Sequence, residues 1–253
     1  MISATGLTRS FGSDHVLDGI DLRAEPGEIL GIIGPGGAGK SLLLKMLCGL
    51  MIPDGGRIEV DGHDIAGLDA AQMSRVREKF GMLFQNYALF DFMNVGDNIA
   101  FPLRQRGEVP ESEIMDRVNE RLDQVDLPGA HALFPRELSG GMKKRVALAR
   151  ATIAEPPYLL YDDPTAGLDP VTSSKIFGLI TRLHRAESIT IIVGHDVDRM
   201  IPVCHRWVMI YDGHVRFRGN TKEAMASNDK VVRTFFDSSK INVSNVRPDS
   251  GAP

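Results

Sequence analysis

Three stretches of this chain carry residue types whose spacing suits work on a phosphate. In Gly34-Pro35-Gly36-Gly37-Ala38-Gly39-Lys40-Ser41 the glycines let backbone N–H groups turn inward on a β-phosphate, with the positive end of the following helix, opening at Leu42, behind them. Lys40 is placed to reach the β and γ oxygens and Ser41 to ligate Mg²⁺. Tyr158-Leu159-Leu160-Tyr161-Asp162-Asp163 reads as a buried strand ending in two carboxylates. Asp162 suits the Mg²⁺ shell, and Asp163 can orient or deprotonate an attacking water. Leu138-Ser139-Gly140-Gly141-Met142 sets a serine and paired glycines at the mouth of an amphipathic helix, a second backbone site shaped for an anion. Each has a plain alternative as a glycine-rich turn or a solvated carboxylate pair. Together they point to hydrolysis of a nucleoside triphosphate.

The elements around these residues are predicted to be α/β. Val16 to Leu22 and Ile29 to Ile33 read as strands joined by the turn Glu25-Pro26-Gly27-Glu28, an antiparallel start. After Ile33 the glycine loop gives way to the helix-forming run Leu42 to Leu47, the strand, loop and helix order that a phosphate loop requires. Pro53 to Gly56 reads as a turn, Arg57 to Val60 and Phe80 to Phe84 as strands. From Asn86 to Ala154 the chain reads as an inserted helical subdomain, with a solvent-facing helix over Glu111 to Val125. Strands at Tyr158 to Tyr161 and Thr190 to Val193 then alternate with helices from Pro170 to about Ala186 and after His195, implying a parallel sheet. Arg206 to Gly219 reads as a hairpin turning at Asp212-Gly213, Lys230 to Asp237 as a short helix, and 238–253 as a loose polar tail. In the helix after Ser139, Met142, Val146, Ala149 and Ile153 recur at helical spacing and should face a core, while Lys143, Lys144 and Arg145 read as a solvated face.

With 253 residues, 43% of them hydrophobic, the chain can bury a sizeable core, and a net charge of -4 gives no electrostatic footprint for nucleic acid. The first residues lack the pattern of a signal peptide and no apolar run is long enough to span a bilayer, so the expected location is cytoplasmic. Cys48 and Cys204 are expected to pack as small hydrophobes rather than pair.

Taken in order along the chain, these motifs resemble those of an ABC transporter ATPase subunit: the phosphate loop, Gln85 as the Q-loop, Leu138 to Met142 as the signature, Ala166-Gly167-Leu168-Asp169 as the D-loop and His195 as the switch histidine. The resemblance implies a phosphate-loop fold with a parallel core sheet, an antiparallel N-terminal β subdomain and the helical insert, with residues 1–237 forming the ATPase domain and 86–154 the insert. It also implies roles. Phe11 matches the aromatic that stacks on adenine; Gln85 would bind Mg²⁺ or the attacking water; His195 would donate to the γ-phosphate or transition state. Ser139, Gly140, Gly141 and Asp169 would act in trans, in a head-to-tail homodimer with two shared ATP sites. Two positions depart from the family pattern. Asp163 stands where most such ATPases have Glu, one methylene longer, and Gly194 precedes the switch histidine where a small hydroxyl residue is usual.

The stretch from Met82 to Arg104, rich in apolar and aromatic residues after Gln85, suits a groove that accepts a helix from a membrane partner. Its wording, with Glu137 to Ala151 and Val231 to Phe236, is similar to the ATPase of Mla/Mce-type phospholipid transport systems. That resemblance implies integral-membrane permease subunits, a lipid-binding MCE-type partner and small accessory subunits on the cytoplasmic face of the inner membrane. Three other readings stay open at this level: an importer or exporter ATPase for another substrate, a soluble ABC ATPase without a permease, and a nucleotide-gated module that hardly hydrolyses because Asp163 replaces Glu.

Overall fold

The computed structural model describes residues 1–237. It opens with two long strands, β1 (Ile2–Phe11) and β2 (Asp14–Ala24), then β3 (Ile29–Ile33), helix α1 (Lys40–Leu47), β4 (Gly55–Val60), β5 (His63–Asp64), α2 (Ala70–Glu78) and β6 (Phe80–Leu83). A run without strands follows, with α3 (Val95–Arg106), α4 (Glu111–Gln124) and α5 (Gly140–Thr152), and the alternation resumes with β7 (Tyr158–Asp162), α6 (Pro170–Leu183), β8 (Ile189–Val193) and α7 (Val197–Met200). The last elements are the hairpin β9 (Arg206–Tyr211) and β10 (His214–Gly219), then α8 (Thr221–Met225) and α9 (Lys230–Asp237). The tail expected over 238–253 lies outside the described residues.

The strands form two sheets, one ordered β2-β1-β4-β5 and the other β10-β9-β3-β8-β7-β6. The antiparallel start exists, but not between the strands expected. β2 pairs antiparallel with β1, whereas β3 leaves it for the second sheet, where it runs parallel to β8 and β9. Burial explains the difference: every residue of β3, β7 and β8 is buried, as central strands covered on both faces must be. β2 alternates buried and exposed along much of its length, as a strand with one wet face does. Gly55 and Gly56, read as part of a turn, belong to β4.

The core sheet feeds two apolar cores by its period of two. Tyr158 and Leu160 join Leu43, Leu44, Met46 and Leu47 of α1 and the inner face of the N-terminal sheet. Leu159 and Tyr161 face the other way, into a core shared with the helical insert and α6. The ends of β3, β7 and β8 therefore meet along one rim, which is where the loop, the carboxylates and His195 lie. Cys48 and Cys204 are buried and free. Among the described residues no helix is long and apolar enough to cross a membrane.

Candidate functional site

The loop from Gly34 to Gly39 runs from the end of β3 into α1. Gly34 holds φ at 149°, and a Cβ there would sit 2.1 Å from the carbonyl oxygen of Ile210. Gly36 and Gly37 differ, because nothing lies within 4 Å of a Cβ built on either. The first glycine is thus demanded by the protein's own backbone, and the middle pair faces open space where a phosphate can approach. No side chain caps α1 and its first turn holds no acid, leaving its leading N–H groups available to an anion. Lys40 Nζ donates to Gly34 O at 2.9 Å and Pro35 O at 2.7 Å, so the ammonium lies folded over the loop. Burial pushes it below its ordinary pKa, and Asp163 and Asp162 pull it partly back.

The carboxylates expected at the end of β7 stand beside the loop. Ser41 Oγ donates to Asp162 Oδ1 at 2.6 Å. Burial raises the Asp162 carboxyl above its usual range, the Ser41 hydrogen bond opposes this, and Asp163 adds to the rise. Asp163 has a φ of 47°, the left-handed region that Asp tolerates better than most residues, and its N–H donates to Val193 O at 2.8 Å. His195, just past β8, brings Nδ1 to 2.9 Å from Asp163 Oδ2. An ionised carboxylate only accepts, so Nδ1 carries the proton and Nε2 is the free nitrogen. The other oxygen, Asp163 Oδ1, is buried without a hydrogen-bond partner, an acceptor left open at the site.

These groups fit Mg²⁺ in one way only. No cluster of three or more His, Cys, Asp or Glu side chains that could hold a metal occurs among the described residues. A cation here takes one or two protein oxygens and completes its shell with phosphate and water, as Mg²⁺ does with nucleotides. Ser41 and Asp162 are the pair placed for it, and the side chain of Gln85, exposed just beyond β6, is free to join.

Ser139 is the N-cap of α5, its Oγ accepting from Met142 N at 3.3 Å, and Ser139 and Gly140 are both exposed. A Cβ on Gly140 would lie near Tyr87 Oη and Leu168, and one on Gly141 would press on Thr172 Cγ2 at 2.8 Å. None of these neighbours comes from the phosphate loop. Asp169 caps α6 through Val171 N and Thr172 N, both at 3.0 Å, and hydrogen bonding from Thr172 holds its carboxylate below the usual range. Its side chain is exposed and serves the helix. Phe11, at the far end of β1, is half exposed with the Arg9 guanidinium 4.9 Å from its ring centroid.

The ABC transporter family model matches residues 17–166. The chain belongs to this family. Its fold and its activity, ATP hydrolysis coupled to transport, are those of an ABC transporter ATPase. It is 41% identical over 241 residues to the probable ribonucleotide transport ATP-binding protein mkl of Mycobacterium leprae, spanning 95% of this chain and 70% of that one. It is 39% identical to the intermembrane phospholipid transport system ATP-binding protein MlaF of Haemophilus influenzae, spanning 93% of this chain and 90% of that one. The dimeric post-hydrolysis structure of the ATP-binding cassette MJ0796, bound to ADP and Pi, superposes with a TM-score of 0.79 at 30% identity, covering 87% of this chain and 98% of that chain.

Within this ABC ATPase the Gln85 loop is held by two cations, Lys144 and Arg150. Lys144, expected on a solvated face, is wholly buried. Its Nζ donates to Gln85 O at 2.7 Å and Asp163 O at 3.2 Å, and lies 4.9 Å from the Tyr87 ring centroid. Burial lowers it to about 8, against the attraction of Asp163 and Asp162. Arg150 donates to Tyr87 O at 2.9 Å and Ala88 O at 2.7 Å, and burial lowers it to about 10. Tyr87 and Ala88 both have positive φ, so this turn is one the chain would not adopt untethered. The expected face of Met142, Val146, Ala149 and Ile153 does pack on the core. Lys144 lies off that face by helical spacing and is buried all the same, because α5 packs against α3, β6 and α6 at once.

Beside this loop lies a groove of about 580 Å³, whose walls include Phe84, Phe90, Phe101, Pro102, Arg106 and Arg150. Phe92, 78% exposed, stands 5.8 Å from Phe90 between ring centroids. The apolar stretch after Gln85 is therefore divided, with Val95, Ile99, Ala100 and Leu103 closing the insert's core and the aromatics left around the groove.

Proposed function

We propose that two copies of this chain close head to tail on two ATP molecules, hydrolyse them, and so drive an integral-membrane permease that moves phospholipid. The single observation behind the dimer is the divided site. Loop, carboxylates and His195 meet on one rim, while the second anion-shaped end, Ser139 to Gly141, exposed at Ser139 and Gly140, has no phosphate-loop residue against its glycines. The dimeric state of the MJ0796 cassette supports it.

In this reading the N–H groups from Gly34 to Ser41 and the first turn of α1, at Leu42, cradle the phosphates. Lys40 exchanges its two loop carbonyls for β and γ oxygens, and Phe11 offers its exposed ring to the adenine. Ser41 and Asp162, joined by Gln85, would hold Mg²⁺, which would neutralise phosphate charge when bound. Asp163 accepts a proton from the attacking water, and the Nδ1–H of His195 keeps that carboxylate aimed; with Nδ1 so engaged, Nε2 can donate to the γ-phosphate only when the ring carries a second proton. The short side chain of Asp163 reaches His195, which supports this role. Ser139, Gly140, Gly141 and Asp169 act across the dimer. Lys40→Ala is expected to weaken ATP binding by about 10- to 100-fold, the worth of a charge-assisted contact, in equilibrium titration with a fluorescent ATP analogue. An unchanged affinity would exclude the loop as the nucleotide site.

The phospholipid assignment draws on MlaF, matched over nine-tenths of its own length, while the aromatic groove offers a seat for a permease helix. Residues 1–237 would form the ATPase domain, 86–154 the insert that transmits closure, and the subunit would sit peripherally on the cytoplasmic face of the inner membrane. An MCE-type lipid-binding partner and small accessory subunits complete the expected complex, without nucleic acid. The name of the mkl relative supports a second substrate class, ribonucleotides. Complex purified from native membranes and reconstituted in liposomes separates the two. ATP-dependent movement of labelled phospholipid is expected, and ATP-dependent ribonucleotide flux without lipid movement would overturn the lipid reading.

A further inference from the structure

We infer that Lys144 is a positioning residue that couples the signature end of α5 to both the Gln85 loop and the hydrolytic carboxylate of its own chain. The inference rests on the proposed role of Asp163. Lys144 lies five residues after Ser139 on one unbroken helix, about 7.5 Å along its axis at 1.5 Å per residue. A tilt of α5 when its N-terminus takes up a partner's phosphate therefore moves Nζ against the two carbonyls it holds. Those carbonyls belong to the residues flanking the reacting centre: Gln85 O at 2.7 Å and Asp163 O at 3.2 Å. The Asp163 peptide is the one that sets where its carboxylate points, at a residue already in the left-handed region. Tyr87, whose ring lies 4.9 Å from Nζ, also brings its hydroxyl close to Gly140 of the signature. Lysine and tyrosine thus form two struts between the same helix and the same loop.

A structural lysine would be an odd way to hold these elements. The side chain is fully buried, and no carboxylate approaches it within 4.0 Å among the described residues. An ammonium enclosed with two carbonyls and the Tyr87 ring, and no carboxylate in contact, carries a desolvation cost that an apolar side chain of the same length would not. Packing of α5 is supplied by Val146, Ala147, Leu148 and Ala149, all fully buried. What the lysine adds is directed contact with two loops, and directed contact matters where a misplacement of about 1 Å costs about a hundredfold in rate.

The test compares full-length wild type, Lys144→Met, Lys144→Arg and Asp163→Asn. Methionine keeps the length and removes the donors. It is expected to leave the thermal midpoint unchanged or raised and ATP affinity within about threefold, while kcat falls at least about tenfold with KM little altered. Lys144→Arg, which restores donors to the carbonyls, should recover a rate clearly above that of Met. A lower midpoint with an unaltered kcat for Lys144→Met would mean that the lysine only holds the fold and would overturn the inference, as would a wild-type rate at a wild-type midpoint. Lys144→Gln, shorter and uncharged with one amide donor pair, gives the same comparison if Met does not fold, with an intermediate kcat expected. Asp163→Asn separates the two levels. If it leaves the rate intact, the role of Asp163 fails; if it silences the enzyme while Lys144→Met does not, only the inference about Lys144 fails.

Discussion

Asp163→Asn is expected to lower the steady-state ATPase rate by roughly 10² to 10³-fold, the usual worth of a positioned general base, with ATP affinity within about threefold of wild type. The substitution is clean. Asn tolerates the positive φ at this position as Asp does, and the Asp163 N–H to Val193 O bond at 2.8 Å does not involve the side chain. Ser41 and Asp162 keep their own hydrogen bond, so the cation pair survives. What disappears is the acceptor Oδ1, buried and unpartnered, and the anion that orders His195. Asp163→Glu keeps the charge and moves it by a methylene, and should turn over at least about tenfold faster than Asn. An Asn variant with a wild-type rate would show that the water is activated elsewhere.

Much of this site was legible because its parts are local. A glycine loop between an apolar strand and a helix, and a strand ending in two acids, are each specified within a dozen residues, and the hairpin bounds followed from Asp212-Gly213, both in the left-handed region. Three things were not read. β1 went unseen although β2, its antiparallel partner, follows directly across the Gly12-Ser13 turn, a hairpin signal within reach of local reading. Helix α2 was missed although Asp69 and Gln72 form a capping box, a signal that local reading can catch. Lys144 was misread for a deeper reason. Three consecutive cations look solvated, and the periodicity that finds one apolar face fails for a helix packed against α3, β6 and α6 at once. The carbonyls that hold its ammonium stand 59 and 19 residues away in sequence, and nothing in the run Lys143-Lys144-Arg145 encodes them.

Ser139→Arg is expected to leave nucleotide binding to the single chain within about threefold while abolishing ATP-dependent dimerisation in size-exclusion chromatography, and turnover with it. Ser139 Oγ accepts one hydrogen bond, from Met142 N, and losing an N-cap costs about 1 kcal/mol, small beside a typical domain stability of about 5–15 kcal/mol. The variant should therefore fold. Arginine is no repellent to phosphate, so its effect comes through volume at the end where a partner's phosphate would approach, beside Gly141, where even an added Cβ would press on Thr172. The head-to-tail arrangement then makes a sharper forecast. Mixed with Lys40→Ala, the Ser139→Arg chain can form a heterodimer in which its intact loop faces the intact signature of the other copy. Both defects then fall in the opposite site, which stays empty at ATP concentrations that fill the intact one and so leaves room for the arginine. At such concentrations the two impaired variants should recover ATPase activity on mixing. A site completed within one chain predicts no recovery at any ratio, and that result would remove the dimer from the mechanism.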